Sequence, residues 1–268
     1  MSRFCYGGNV TVNSVRLHYL RYGGEGHPLV LIPGITSPAI TWGFVAEKLA
    51  EYFDVYVLDV RGRGLSSSGD HLQYDTETCA QDILGLVEQL EIDQYYLVGH
   101  SMGARFAIRC AAWQPPGLKK VVLIDPPVSG PNRRAYPSQL AWYVDSIQQS
   151  IIGMSAEEMK QFCPTWSFEQ RQLRAEWLHT CYLPAIVKAF NDFHDFDIHQ
   201  YISSISVPVL LMVAGKGGVI LDEDIQEIQH LNPNIMISRV ANAGHMIPWD
   251  DEQGFYQGFK DFLGHSII

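Results

Sequence analysis

The sequence predicts an α/β fold, a mostly parallel β-sheet with helices on both faces, interrupted late in the chain by a wholly helical insertion. Three observations predict it. Five short runs, PLVLIPG from Pro28, DVYVLDV from Asp54, QYYLVGH from Gln94, KKVVLID from Lys119 and VPVLLMVAG from Val207, are apolar on both faces, as strands buried on both sides must be. Segments with helical spacing alternate with them, which implies right-handed βαβ units. A stretch of about 80 residues, 127 to 206, holds no strand-like run.

In chain order, the first 22 residues read as two strands joined by a turn at Gly7, Gly8 and Asn9, with alternation in VRLHYLRY. PLVLIPG ends in a Pro-Gly turn, and a helix is expected from about Ile40 to Glu51. DVYVLDVRGRG gives the next strand and turn. From about Asp75 to Leu90, Ile83, Leu84, Val87 and Leu90 form an apolar stripe at helical spacing. QYYLVGHSMG runs straight into a glycine-framed turn, and RFAIRCAAW continues it as a helix. KKVVLIDPP and VPVLLMVAG are buried strands, IMISRV is a last strand, and a C-terminal helix follows. The segment between them is rich in aromatics (Trp142, Tyr143, Phe162, Trp166, Trp177, Tyr182 and Phe190). It reads as a cap over the strand ends, where open α/β sheets bind ligands. Most of these rings are expected to pack the cap and a few to line a cavity. The organisation predicted is a core of residues 1–126 and 207–268 with a cap of residues 127–206.

Composition narrows the function. Hydrophobic residues make up 47% of the 268 and charged residues 18%, which fits one large globular unit with a sizeable core. A net charge of −10, with no basic run longer than two, argues against nucleic acid and anionic membrane. An anionic small molecule stays open, because one pocket arginine outweighs a distant surface. MSRFCYGGNV lacks an apolar signal core and no stretch reaches about 18 apolar residues, so a cytoplasmic location is expected. Five scattered cysteines, with no CxxC, suggest reduced thiols. The cluster from Asn191 to His199 holds three aspartates and two histidines. Its place at the return from cap to sheet favours turn and cap roles over a metal site.

Gly99-His100-Ser101-Met102-Gly103 carries the chemistry. A serine between two glycines, after a strand and before a helix, sits on a sharp turn that lifts its hydroxyl clear of the sheet. The following helix aims its first N–H groups at the same point, favouring developing negative charge. A serine hydroxyl needs a base. Of ten histidines, His245 in NAGHMIPWDD stands on a loop after a strand, at the strand-end face. His18 belongs to a strand, His27 and His265 to surface segments, and His100 packs beneath the serine. No dinucleotide or P-loop glycine pattern is present, and the mechanism implied needs no cofactor.

These motifs resemble those of the α/β-hydrolase superfamily, over essentially the whole chain. PGITSPAITW looks like its oxyanion loop, DVRGRGLSS like its Asp-x-Arg-Gly-x-Gly turn, and GHSMG and AGHMIPW like its nucleophile and histidine loops, in the family's order. The resemblance implies an eight-stranded, mostly parallel sheet with a helical cap inserted after strand 6. It also implies an acyl-enzyme on Ser101, and an oxyanion hole from the backbone N–H groups of Met102 and of Ile35 or Thr36. Asp59 and Arg61 would brace neighbouring turns, with Arg61 and Arg63 as outside candidates for the pocket.

One departure concerns the acid. Most of the family carries it after the strand written here VPVLLMVAG, where this chain has Gly215-Lys216-Gly217-Gly218. Asp125, ending the preceding strand on the same face, is the first substitute; Asp222 is the second. Within the superfamily the resemblance runs to hydrolases that split the C–N bond of small acidic N-formyl amides. A carboxylesterase, a C–C hydrolase and a non-catalytic capped receptor are the alternatives. The substrate's carboxylate would need a cation, for which Arg105, four residues past the serine, is the first candidate and Lys216 a weaker one.

Overall fold

The structure is a computed structural model that describes residues 2–264; His265 lies outside the described residues. Its strands are β1 (Phe4–Val12), β2 (Val15–Tyr22), β3 (His27–Ile32), β4 (Phe53–Leu58), β5 (Tyr95–His100), β6 (Leu118–Ile124), β7 (Val209–Ala214) and β8 (Ile235–Val240). They form one sheet in the order β1-β2-β4-β3-β5-β6-β7-β8. Only the β1–β2 and β2–β4 pairings are antiparallel.

Alternation along each strand feeds two cores. Val30, Ile32, Val121 and Leu123 point to the face covered by α2 (Thr76–Gln89), α3 (Met102–Ala112) and α8 (Asp222–Leu231). Leu29, Leu31, Val122 and Ile124 point to the face of α1 (Gly43–Leu49), the short α9 (Ile247–Asp250) and α10 (Glu252–Leu263). Because β4 and β5 lie on opposite sides of β3, the connections diverge there. A crevice therefore opens at the carboxyl ends of β3 and β5, where such sheets hold ligands.

The first hairpin turns later than the glycines suggested. Gly7, Gly8 and Asn9 lie inside β1, and the turn is made by Asn13 and Ser14, both at positive φ (50° and 64°). That is the two-residue geometry that matches strand twist. Gly8 faces Tyr19 across the ladder, and a Cβ there would meet the phenol oxygen at 2.5 Å. The glycines make room for a ring and do not bend the chain.

Residues 127–206 contain no strand. They form α4 (Leu140–Ile151), α5 (Ala156–Met159), α6 (Phe168–Trp177) and α7 (Leu183–Asp195), with two 3-10 turns. Capping boxes at Ser155 and Ser167 start α5 and α6. The acidic stretch expected at the return to the sheet ties the segment to the core through Asp192 and to itself through His194 and Asp197. Asp192 accepts from the Thr76 N–H at 2.9 Å and from Lys188. His194 Nε2 accepts from the Tyr136 N–H at 3.3 Å, and Asp197 faces Arg133. Among the described residues, no helix is long and apolar enough to cross a membrane.

Candidate active site

The turn at Ser101 is strained by construction. Its φ of 52° and ψ of −116° lie in a region that non-glycine residues rarely occupy, so neighbours must hold it there. The Ser101 N–H donates to Ile124 O at 2.8 Å, and Ser101 O accepts from the Ala104 N–H at 3.0 Å. Close approach of helix to sheet needs the flanking glycines. A Cβ at Gly103 would meet Ile32 O at 2.1 Å, and one at Gly99 would meet Gly103 O at 2.3 Å. The Ser101 side chain does not cap α3, which leaves its hydroxyl to other partners.

That hydroxyl lies 2.9 Å from His245 Nε2, and His245 Nδ1 lies 2.7 Å from Asp125 Oδ2. Asp125 is fully buried, also at positive φ (45°), and its Oδ1 accepts from the Ala214 N–H at 3.2 Å. A buried carboxylate held from β7 fixes the imidazole with Nδ1 protonated and Nε2 facing the serine. Asp222 is elsewhere: it is an exposed residue at the start of α8, paired with Arg239. The glycine at the later acid position has a steric reason. A Cβ at Gly217 would lie 2.7 Å from Ala214 Cβ, 3.2 Å from His245 N and 3.4 Å from Asp125 Oδ2. Ala214 Cβ, with the His245 backbone nitrogen behind it, occupies the room a side chain would need.

His100 lies under this relay. Its Nε2 is 3.0 Å from His245 O, and its ring packs on Trp42 with centroids 5.2 Å apart. Complete burial pushes its pKa down to about 3, so it is neutral and donates to that carbonyl. Behind the oxyanion loop, the buried Arg63 donates to Ile35 O at 3.1 Å and to Met102 Sδ at 3.3 Å. It thus steadies both residues expected to supply oxyanion donors. Among the described residues neither the Ile35 nor the Met102 N–H has a protein acceptor outside its own helix or strand. Arg61 is held by Asp82 and Asp59 by Ala39, Leu65 and His18, away from the cavity.

The serine opens into a cavity of about 380 Å³. Gly34 to Ser37, Ser101, His245 and Met246 line it from the strand-end loops; Tyr136, Trp142, Tyr143, Trp166 and Arg174 line it from the helical segment. Sequence reasoning missed two of these. Tyr136 places its hydroxyl 3.3 Å from His245 Nε2, and burial raises its pKa well above the usual phenol value, so it stays a neutral donor. Arg174 is 5% exposed and brings a guanidinium into the wall. Its only advance signal was an arginine in an aromatic-rich helical stretch, and helix rotation decides which arginine turns inward.

The two predicted cations are not in the lining. Arg105 is buried with its guanidinium turned away. It donates to the carbonyls of Pro127 (2.8 Å), Ser129 (3.1 Å), Asp192 (2.8 Å) and Phe196 (2.6 Å). Being on α3 put it beneath the helical segment, whose chain reversals present carbonyls that need a donor. Lys216 is exposed on the loop after β7.

Fold and site together define a class. The chain matches the family described as alpha/beta hydrolase fold over residues 27–252 and belongs to that family. It is 65% identical to an N-formylmaleamate deformylase from Pseudomonas putida, over the full length of both chains. A solved structure of the N-formylmaleamic acid deformylase Nfo, also from Pseudomonas putida, has a TM-score of 0.91 at 50% identity, covering 94% of this chain and 99% of that one. An E-2-(acetamidomethylene)succinate hydrolase, at TM-score 0.80 and 20% identity over 98% of this chain and all of its own, bears on the fold alone.

Proposed function

We propose that this chain is a serine hydrolase that splits the C–N bond of a small acidic N-formyl amide, N-formylmaleamate, into formate and maleamate. One observation carries the reading: the unbroken hydrogen-bonded line from Ser101 through His245 to Asp125, at 2.9 and 2.7 Å, at the floor of a small cavity. The full-length likeness to a deformylase supports the substrate.

In this reading Ser101 Oγ bonds to the formyl carbon as its proton passes to His245 Nε2. The carbonyl electrons move onto oxygen, which rests on the N–H groups of Met102 and of Ile35 or its neighbour Thr36, each donor worth about 3 kcal/mol. As the C–N bond breaks, His245 returns the proton to nitrogen. That nitrogen lies between two carbonyls, so it leaves as an amide, which is less basic than an amine. Water then attacks the formyl-serine by the same route, giving formate and restoring the Ser101 hydroxyl. The helical segment 127–206 serves as the cap over this cavity. The likeness to a deformylase supports a place in bacterial nicotinate breakdown, and a cytoplasmic location is proposed with it.

The test is turnover of N-formylmaleamate followed by formate release. The wild-type chain is expected to release formate, and Ser101→Ala to lose activity by about 10⁴-fold or more while its thermal melting is retained. Formate release by Ser101→Ala at wild-type rate, or turnover of p-nitrophenyl esters with none of N-formylmaleamate, would reject the assignment.

A further inference from the structure

We propose that Arg174 is the anchor for the substrate's carboxylate, and that it ties α6 to the oxyanion loop through Thr36. The proposal rests on the hydrolase reading above and names the group that selects an acidic substrate. Among the described residues that line the cavity, Arg174 is the only Lys, Arg, Asp or Glu, in a chain of net charge −10. Trp142 and Trp166 hold its guanidinium carbon 5.4 and 5.8 Å from their ring centres. Such flat neighbours keep the fork in one plane without neutralising it.

Its hydrogen bonding is incomplete. Nη2 donates to Thr36 Oγ1 at 3.0 Å and Nη1 to Thr36 O at a long 3.3 Å, while the buried Nε has no partner. Among the described residues Arg174 forms no ion pair, although Arg21, Arg61, Arg109, Arg133 and Arg171 do, and the two other buried arginines without one, Arg63 and Arg105, donate to three and four backbone carbonyls. An ionised group left in an apolar wall without a counter-charge is expensive, and proteins keep one where a ligand supplies the charge. A carboxylate in the cavity would meet a planar donor pair suited to two parallel hydrogen bonds. Because Thr36 adjoins Ile35, the residue that holds the carboxylate also fixes the loop expected to hold the oxyanion. Recognition of one end of the substrate is thereby fastened to the site of chemistry at the other.

The experiment compares N-formylmaleamate with its neutral analogue, in which the carboxylate is a carboxamide, and measures maleamate as a competitive inhibitor of p-nitrophenyl acetate hydrolysis. For Arg174→Gln, kcat/KM on the acid is expected to fall at least 100-fold further than on the carboxamide, mainly through KM, and the maleamate inhibition constant to rise at least 30-fold. Arg174→Lys restores part of the loss in KM, and also decides the matter if Arg174→Gln does not fold. Thr36→Val keeps the cation, so the preference for acid over carboxamide stays within threefold of wild type. Equal losses on the two substrates, or an unchanged inhibition constant, would overturn the anchor. If the wild-type chain releases no formate, the deformylase reading fails, yet the maleamate inhibition constants still decide the role of Arg174.

Discussion

The strand-end loops and the helical segment 127–206 face one cavity and are built by opposite means. On the loop side, placement comes from backbone: Ser101 and Asp125 both sit at positive φ, and each is held by hydrogen bonds to the adjoining strand. On the helical side, placement comes from side-chain packing, with Trp142, Tyr143, Trp166 and Arg174 reaching in from α4, α6 and the chain between them. Bond-breaking groups must be held within a fraction of an ångström, and backbone hydrogen bonds to an adjoining strand help to hold them there. Recognition tolerates more freedom. The buried arginines repeat the contrast: four carbonyls surround the Arg105 guanidinium, whereas Arg174 keeps unused donors beside the cavity.

The contrast breaks most sharply at Asp125. An amide there would present a donor to the His245 Nδ1–H, favour the wrong tautomer and withdraw the charge that steadies the imidazolium. Asp125→Asn is expected to lower kcat by about 10⁴-fold with KM within threefold and melting retained, measured by steady-state kinetics and calorimetry. Asp222→Asn should stay within twofold of wild type. A comparable loss in Asp222→Asn, with Asp125→Asn active, would move the acid to α8.

How much was legible beforehand follows the same division. Strand and turn leave a local mark: apolar runs, a serine framed by two glycines, a histidine on a loop after a strand. Even the carboxylate that meets His245 was readable, because Asp125 ends a strand and glycines stand at the later position. The first hairpin was misplaced because Gly7 and Gly8 look like turn residues, and their reason for being small is a ring on the partner strand. Arg105 and Arg174 could not be sorted at all. Which arginine finds carbonyls and which finds a cavity depends on how α7 lies over α3 and how α6 turns toward Thr36, and no period in the sequence records that.

Arg105 gives the next smaller effect, in stability. Methionine there would fill the space and leave the carbonyls of Pro127, Ser129, Asp192 and Phe196 without that donor. Burial pushes the Arg105 pKa down to about 10, against the opposing pull of the Asp192 and Asp197 carboxylates. Arg105→Met is expected to reduce unfolding free energy by about 3–5 kcal/mol in urea titrations. The KM of the protein that remains folded should change less than for any substitution at Arg174. A large rise in KM with stability intact would make Arg105 a binding residue after all.

The smallest effect probes the layer beneath both regions. His100 has its pKa lowered to about 3 by burial, and its Nε2 bonds to the His245 carbonyl. Between that value and the ordinary histidine range near 6.5, the unfolded chain binds a proton that the folded chain refuses, so stability falls as acid is added. The contribution is complete above about pH 6.5, declines by up to about 1.4 kcal/mol per pH unit below it, and stops changing once the folded group also protonates. Burial lowers the pKa of His27 and His199 as well, so the wild-type slope is the sum of several histidines. His100→Gln keeps a donor for His245 O but cannot take up a proton, and is expected to reduce that slope by about one proton. Urea unfolding at pH 4, 5, 6 and 7 measures it. An unchanged slope would mean that His100 is charged in the folded chain, and a cation would then stand under the imidazole whose task is to accept one.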